Sequence, residues 1–264
     1  MFSLKPLLVT LIVFSSLSSC LSTKGPLTVT KNLLSYEVRR DTLTLLDQAR
    51  NRKVPVALYT STQAAARFRQ QVVLVSHGYY YNRPGSYLLY SYLVEKLASR
   101  GYFVVSIQHE LPTDSLLPTT GIPQVVRRPF WDRGADNMLL VLRYLKQSRP
   151  ALDFKHVTLI GHSNGGDMVA LFPQKYPHEA AKIITLDNRR MALPRTKKSP
   201  QVYSLRSSDQ VADEGVLPTL EEQKRLGMTI ISLPHMLHND MDDHATEEQR
   251  QQINDYILSF LQKK

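Results

Sequence analysis

The sequence predicts an α/β fold, with a mostly parallel central sheet, helices on both faces and an antiparallel N-terminal hairpin. Three observations predict it. From residue 72 onward, short apolar runs of strand length alternate with longer segments of helical period. The run at 72–76 is continuously apolar rather than at every second residue, as a strand covered on both faces requires. Ahead of them, two β-rich runs lie only a short polar stretch apart. With 42% hydrophobic and 21% charged residues, a chain of 264 residues has the apolar material to bury such a core.

Taken in order, residues 1–19 read as a secretory signal: Lys5, an apolar stretch over 7–14, then small residues. That stretch is too short to span a bilayer comfortably. Leu17-Ser18-Ser19-Cys20 resembles the bacterial lipobox, which implies acylation of Cys20 as the first mature residue. Cys20 is the only cysteine, so no internal disulfide is open to it. The resemblance implies an exported, lipid-anchored protein facing the periplasm or cell surface. Leu21, where aspartate would retain an enterobacterial lipoprotein in the inner membrane, favours the outer membrane. Residues 20–40 read as a tether. Residues 41–264 read as one domain, because they contain neither an internal repeat nor a Pro/Gly-rich linker.

Within that domain, 42–47 and 54–60 form the expected hairpin around the basic "QARNRK". Residues 72–76 are a buried strand, 86–101 a helix stopping at Gly101, and 102–107 the next strand. Residues 109–130 hold four prolines and no period, so they read as an excursion. Helices at 132–148, 165–176, 219–227 and from 246 alternate with strands at 156–161, 181–187, 201–206 and 228–234. Thr246 and Gln249 have the spacing of a capping box.

The net charge of +10 comes from 33 basic against 23 acidic residues, scattered in pairs such as Arg127-Arg128, Arg189-Arg190 and Lys197-Lys198. No dense basic helix appears, which argues against nucleic acid and for a mild attraction to anionic lipid or polymer.

In parallel sheets the functional crevice lies at the carboxyl ends of the strands. Four of those ends carry reactive residues: His77-Gly78-Tyr79, Ser163 within "GHSNGG", Asp209, and His235 with His238. Ser163 follows an apolar run and opens a helix between Gly161 and Gly165, the setting in which a serine stands clear of its backbone as a nucleophile. An imidazole must take the serine proton, and a carboxylate must fix that imidazole. The order serine, acid, histidine suits His238 as base, with Asp209 as the favoured acid, Asp187 as its alternative and Asp213 third. The backbone amides of Tyr79 and Asn164 are the expected oxyanion donors. His77 is expected to shape the oxyanion loop and His162 to lie beside the serine. His109, His156, His178 and His244 have no catalytic context.

These stretches resemble the α/β-hydrolases from about residue 40 to the end. They are similar to the platelet-activating factor acetylhydrolase and dienelactone-hydrolase-like group, in "VSHGYYYNRPGSYLLYSYLVEKLASRGYFVVSIQHE", "IGHSNGG", "LDNRRM" and "HNDM". The resemblance implies a serine hydrolase of carboxylic esters that works through an acyl-enzyme and needs no cofactor. In the acetylhydrolases the acid occupies the position of Asp187. His235 and His238 could pair on a zinc ion, but no matching ligands accompany them, so no metal is expected. Tyr79-Tyr80-Tyr81 and Trp131 either line the pocket or pack the excursion. Arg189 and Arg190 either bind an anionic substrate group or pair with an aspartate. A peptidase or acyltransferase on the same residues, or a non-catalytic envelope lipoprotein, are the rival readings.

Overall fold

The computed structural model describes residues 34–263; the signal and lipobox readings, Cys20 included, lie outside the described residues. Strands β1 (Arg39–Asp47) and β2 (Arg52–Thr60) pair antiparallel without interruption, from Arg39 opposite Thr60 to Asp47 opposite Arg52. Their turn is held where Asp47 Oδ1 accepts from the Arg50 amide at 3.2 Å and where Asn51 takes a left-handed φ of 46°. β1 starts earlier than the sequence suggests, and Tyr36 already donates its amide to the Ser99 carbonyl at 2.8 Å.

β3 (Gln71–Ser76), β4 (Phe103–Ile107), β5 (Asp153–His162), β6 (Lys182–Leu186), β7 (Gln201–Arg206) and β8 (Thr229–Ser232) complete one sheet of order β1-β2-β4-β3-β5-β6-β7-β8. β2 meets β4 antiparallel, and every pairing from β4 through β8 is parallel. The expected mixed sheet with its antiparallel hairpin is thus the one observed. The chain leaves β3 toward β4 and then returns across β3 to β5, so the strand order reverses between the carboxyl ends of β3 and β5. That reversal opens a crevice there.

Seven helices surround the sheet among the described residues: α1 (Thr62–Ala65), α2 (Ser91–Ser99), α3 (Pro123–Val126), α4 (Arg128–Ser148), α5 (Ser163–Lys175), α6 (Leu220–Leu226) and α7 (Glu247–Gln262). Because side chains alternate across a strand, each central strand feeds two cores. Val72 and Leu74 of β3 join Met138 and Leu142 of α4 and Phe172 of α5 on one face. Val73 and Val75 join Leu93 and Leu97 of α2 and Ile253 and Ile257 of α7 on the other. Each fully buried aliphatic side chain contributes about 1.5–3 kcal/mol, and this two-sided burial fixes strand register.

Helix boundaries depart from the sequence in three places. The helix expected over 86–101 breaks into a single 3-10 turn at Ser86–Leu88 and then α2. Gly101, at φ 94°, does end it. The excursion at 109–130 is partly helical, since it contains α3 and the first turn of α4. Pro129 lies in that first turn, where a residue without an amide hydrogen loses nothing. The Thr246 capping box forms, its hydroxyl accepting from the Gln249 amide at 3.3 Å while Gln249 Oε1 accepts from the Thr246 amide at 2.8 Å.

Candidate active site

β5 runs into α5 with no loop between them, and the residue at the corner is Ser163, whose φ of 50° lies in the left-handed region. A non-glycine residue held there costs on the order of 1–3 kcal/mol and persists only where its surroundings enforce it. The glycines enforce it here. A β-carbon on Gly165 would strike the carbonyl oxygens of Ser76 and His77, and one on Gly161 would strike the carbonyl of Gly165. β3 and α5 therefore approach one another through bare backbone, and the serine is turned out at their junction.

Ser163 Oγ donates to His238 Nε2 at 2.9 Å, and His238 Nδ1 donates to Asp187 Oδ2 at 2.5 Å. His238 lies in a 3-10 turn after β8, and Asp187 lies immediately after β6 with a left-handed φ of 55°. Asp187 is fully buried. Its Oδ2 also accepts from the Ser207 hydroxyl at 2.7 Å, and its Oδ1 from the Ser207 amide at 3.1 Å. Arg206 Nη2 stands 2.9 Å from Oδ1 as an ion pair. Burial works against the Asp187 anion, but the His238 bond, the Arg206 charge and the Ser207 bonds outweigh it and hold the carboxyl below its usual value. A carboxylate that only accepts puts the imidazole proton on Nδ1, leaving Nε2 free to take the serine's.

The acid favoured from the sequence is therefore not the one against the imidazole. Asp209 is exposed, beyond the end of β7, and its Oδ1 accepts from the main-chain amide of His238 at 2.7 Å. It grips the loop that carries the histidine without touching the ring. Asp213 pairs with Arg190. His235 is exposed on the same loop, its carbonyl accepting from Gln249. Among the described residues no group of three His, Cys, Asp or Glu side chains is placed to hold a metal ion.

Asn164 and Tyr79 both border the cleft beside Ser163 and His238. The Asn164 amide is in the first turn of α5, where no intrahelical acceptor exists. Its side chain faces inward instead: Nδ2 donates to Glu110 Oε1 at 3.0 Å, and Oδ1 accepts from Trp131 Nε1 at 2.9 Å. Trp131 thus lines no pocket; it is fully buried on α4. Burial pushes the Glu110 carboxyl up to about 7. The Tyr79 hydroxyl accepts from the Leu117 amide at 2.9 Å, pinning its ring to the excursion. Tyr81 borders the cleft as well, whereas Tyr80 turns away to donate to Asp242.

His77 and His162 are both buried and neutral. Burial lowers the first to about 4. Burial and the neighbouring His238 lower the second to about 3. His77 Nδ1 donates to the Gly78 carbonyl at 2.6 Å, while Nε2 accepts from the His109 amide at 3.1 Å, so the ring shapes the loop after β3. His162 belongs to a chain of bonds that sequence reasoning missed. The Gly78 amide donates to the Tyr90 hydroxyl at 3.0 Å, Tyr90 donates to His162 Nδ1 at 2.7 Å, and His162 Nε2 donates to the His238 carbonyl at 2.9 Å. Tyr90 sits next to α2 in an unremarkable aromatic stretch, with nothing local to mark it.

The model of the alpha/beta hydrolase fold family matches residues 71–214, 144 of the chain's 264. The chain belongs to the alpha/beta hydrolase fold family. Among solved structures, this alpha/beta hydrolase is similar to a ferulic acid esterase from Streptomyces cinnamoneus, with a TM-score of 0.61 and 17% identity over 90% of this chain and 91% of that one. It is also similar to an α/β serine hydrolase without lid from Xanthomonas campestris, with a TM-score of 0.58 and 15% identity over 87% and 99% of the two chains. A dienelactone hydrolase-like promiscuous phosphotriesterase from metagenomic libraries gives a TM-score of 0.61 and 14% identity over 85% and 97%. At such identities the likeness is one of fold. No curated protein sequence matches this hydrolase.

Proposed function

We propose that this hydrolase cleaves carboxylic esters through an acyl-enzyme on Ser163, with His238 as general acid and base and Asp187 as the orienting carboxylate. The observation that carries the reading is the hydrogen-bonded chain from Ser163 through His238 to Asp187, at 2.9 and 2.5 Å, opening into a cleft of about 650 Å³. Ser163 Oγ attacks the ester carbonyl carbon as its proton passes to His238 Nε2. The carbonyl oxygen becomes an oxyanion, stabilised by the backbone amides of Asn164 and Tyr79. Collapse breaks the bond to the alcohol oxygen, which leaves with the proton from His238. Water then attacks the acyl-enzyme, again giving its proton to His238, and the acid departs with Ser163 restored. Asp187 stabilises the imidazolium at both steps without taking its proton.

Hydrolysis of a 4-nitrophenyl acyl series from acetate to decanoate tests this reading. Turnover that disappears in Ser163→Ala, with fluorophosphonate labelling of the parent at Ser163, is the expected result. A folded parent protein that neither turns over any ester nor takes the label would overturn it. The sequence further supports export and a lipid anchor at Cys20. Cys20→Ala should move the protein from the membrane to the soluble fraction, and unchanged fractionation would refute the anchor.

A further inference from the structure

The cleft beside Ser163 has two unlike walls. Tyr79, Tyr81, Leu116 and Leu117 make one side apolar, while Arg127, Arg189 and Arg190 line the other. Arg190 is answered by Asp213. The other two arginines are not. Arg127 donates Nε to the Pro118 carbonyl at 2.9 Å, Arg189 donates to the Gln210 amide oxygen, and among the described residues neither forms an ion pair with a carboxylate.

The one carboxylate that borders the cleft, Asp167, is buried and already engaged by the amides of Arg190 and Met191 at 2.9 Å each. Burial pushes its carboxyl up to about 6. Arg127 is half-buried, and after burial Arg190 presses hardest on its charge; Asp167 opposes that pressure next, ahead of the smaller effects of Arg189 against the charge and Asp213 for it.

This cationic wall is also held in place. The segment carrying Arg189 and Arg190 is fixed by the two Asp167 bonds, by Asn188 Nδ2 donating to the Met191 carbonyl at 2.9 Å, and by the Asp213 amide donating to the Arg189 carbonyl at 2.9 Å. It follows directly from Asp187, so the guanidinium groups are anchored beside the reacting atoms rather than on a loose surface loop. Guanidinium forks suit a planar oxyanionic group, which they bind through paired charge-assisted hydrogen bonds. Two clustered cations without a carboxylate partner repel one another until such a group arrives.

We propose that the cleft selects esters bearing a carboxylate, which Arg127 and Arg189 bind while an apolar limb lies against the tyrosine and leucine wall. This rests on the serine-esterase reading above and names the substrate class of that same site.

Two matched pairs of probes test it and show which limb carries the charge. Mono-4-nitrophenyl adipate against 4-nitrophenyl heptanoate places the carboxylate on the acyl limb. 4-Acetoxybenzoate against its methyl ester places it on the alcohol limb. At low ionic strength the parent protein should favour the anion in one pair, by about tenfold or more in kcat/KM, as expected for charge-assisted hydrogen bonds. Arg127→Gln with Arg189→Gln should collapse that ratio, as should either single substitution in part if the double variant does not fold. The neutral ester of each pair, measured on the same variant, separates lost recognition from lost folding. No anionic preference in either pair while neutral esters are hydrolysed, or a preference that survives the double substitution, would overturn the proposal. A folded parent that hydrolyses none of the four overturns the esterase reading instead.

Discussion

Asp187→Asn should silence the enzyme while Asp209→Asn should not, and the structure sets how far apart the two fall. Asparagine at 187 presents an amide to His238 Nδ1, where Asp187 Oδ2 now accepts at 2.5 Å. An amide NH₂ turned to the ring favours the tautomer with its proton on Nε2, facing Ser163 and unable to act as base. It also removes the charge that stabilises the imidazolium. In the general Ser-His-Asp template this change costs about 10⁴-fold in kcat, so a loss of roughly 10³- to 10⁴-fold is expected. Stability falls too, because Arg206 is only 4% exposed and loses its ion partner. A buried charge stripped of its partner costs about 3–5 kcal/mol. The bond from Arg206 to the Asn188 carbonyl, at 2.7 Å, puts the loss toward the lower end.

Asp209→Asn keeps an oxygen acceptor for the His238 amide at an exposed site. Less than tenfold in kcat and about 1 kcal/mol in stability are expected there. Steady-state kinetics on a neutral 4-nitrophenyl ester, with urea unfolding of each variant, reads both quantities. Equal losses of kcat in two folded variants would refute the assignment of the acid.

Two other outcomes follow from the groups around the relay. Glu110 holds its proton to about 7 when folded, against a usual value of 4.5. Its contribution to stability is therefore complete below pH 4.5 and lost as pH rises through about 7; by linkage it amounts to at most about 3 kcal/mol. His77 and His162, lowered to about 4 and about 3, act with opposite sign, their contribution present above pH 6.5 and lost on acidification below it. Thermal melts should peak near neutrality, and Glu110→Gln should steepen the rise toward that peak by removing the loss that Glu110 contributes between about pH 4.5 and 7; a profile unchanged across that window would contradict the assignment. Gly165→Ala drives a methyl group into the carbonyls of Ser76 and His77. Fluorophosphonate labelling should fall by about 100-fold or more through displacement of the elbow, and near-parental labelling in a folded variant would disprove the close approach.

Ser163 and His238 were legible because their signals are local: glycines spaced around a serine after an apolar run, and a histidine just past the last strand. The acid was not. Asp187 and Asp209 both follow parallel strands, and what separates them is how each loop turns after its strand. Asp187 stops at once in a left-handed turn beneath the ring, braced by Ser207 and Arg206, residues that come from the next strand end. Asp209 is carried past the strand end into solvent. Trp131 stayed open between pocket and packing for a related reason. Its partner, Asn164, lies 33 residues away, and only the packing of α4 on α5 brings them together. The early start of α4 was hidden because Pro129 reads as part of a loop, whereas it lies in the helix's first turn.

The bonds from Gly78 through Tyr90 and His162 to the His238 carbonyl cross four separate stretches of chain. They tie the loop after β3 and the loop that carries His238 into a single bonded unit. A phenylalanine at 90 would leave the Gly78 amide and the Nδ1 of His162 without partners at once, in a region closed to water. A graft of the loop after β3 from another hydrolase would arrive without the hydroxyl that registers it against His162 and the turn at His238. Recombination and loop-swapping in this scaffold therefore have a minimum unit: the segment from 77 to 90, His162 and the turn at 238 must travel together.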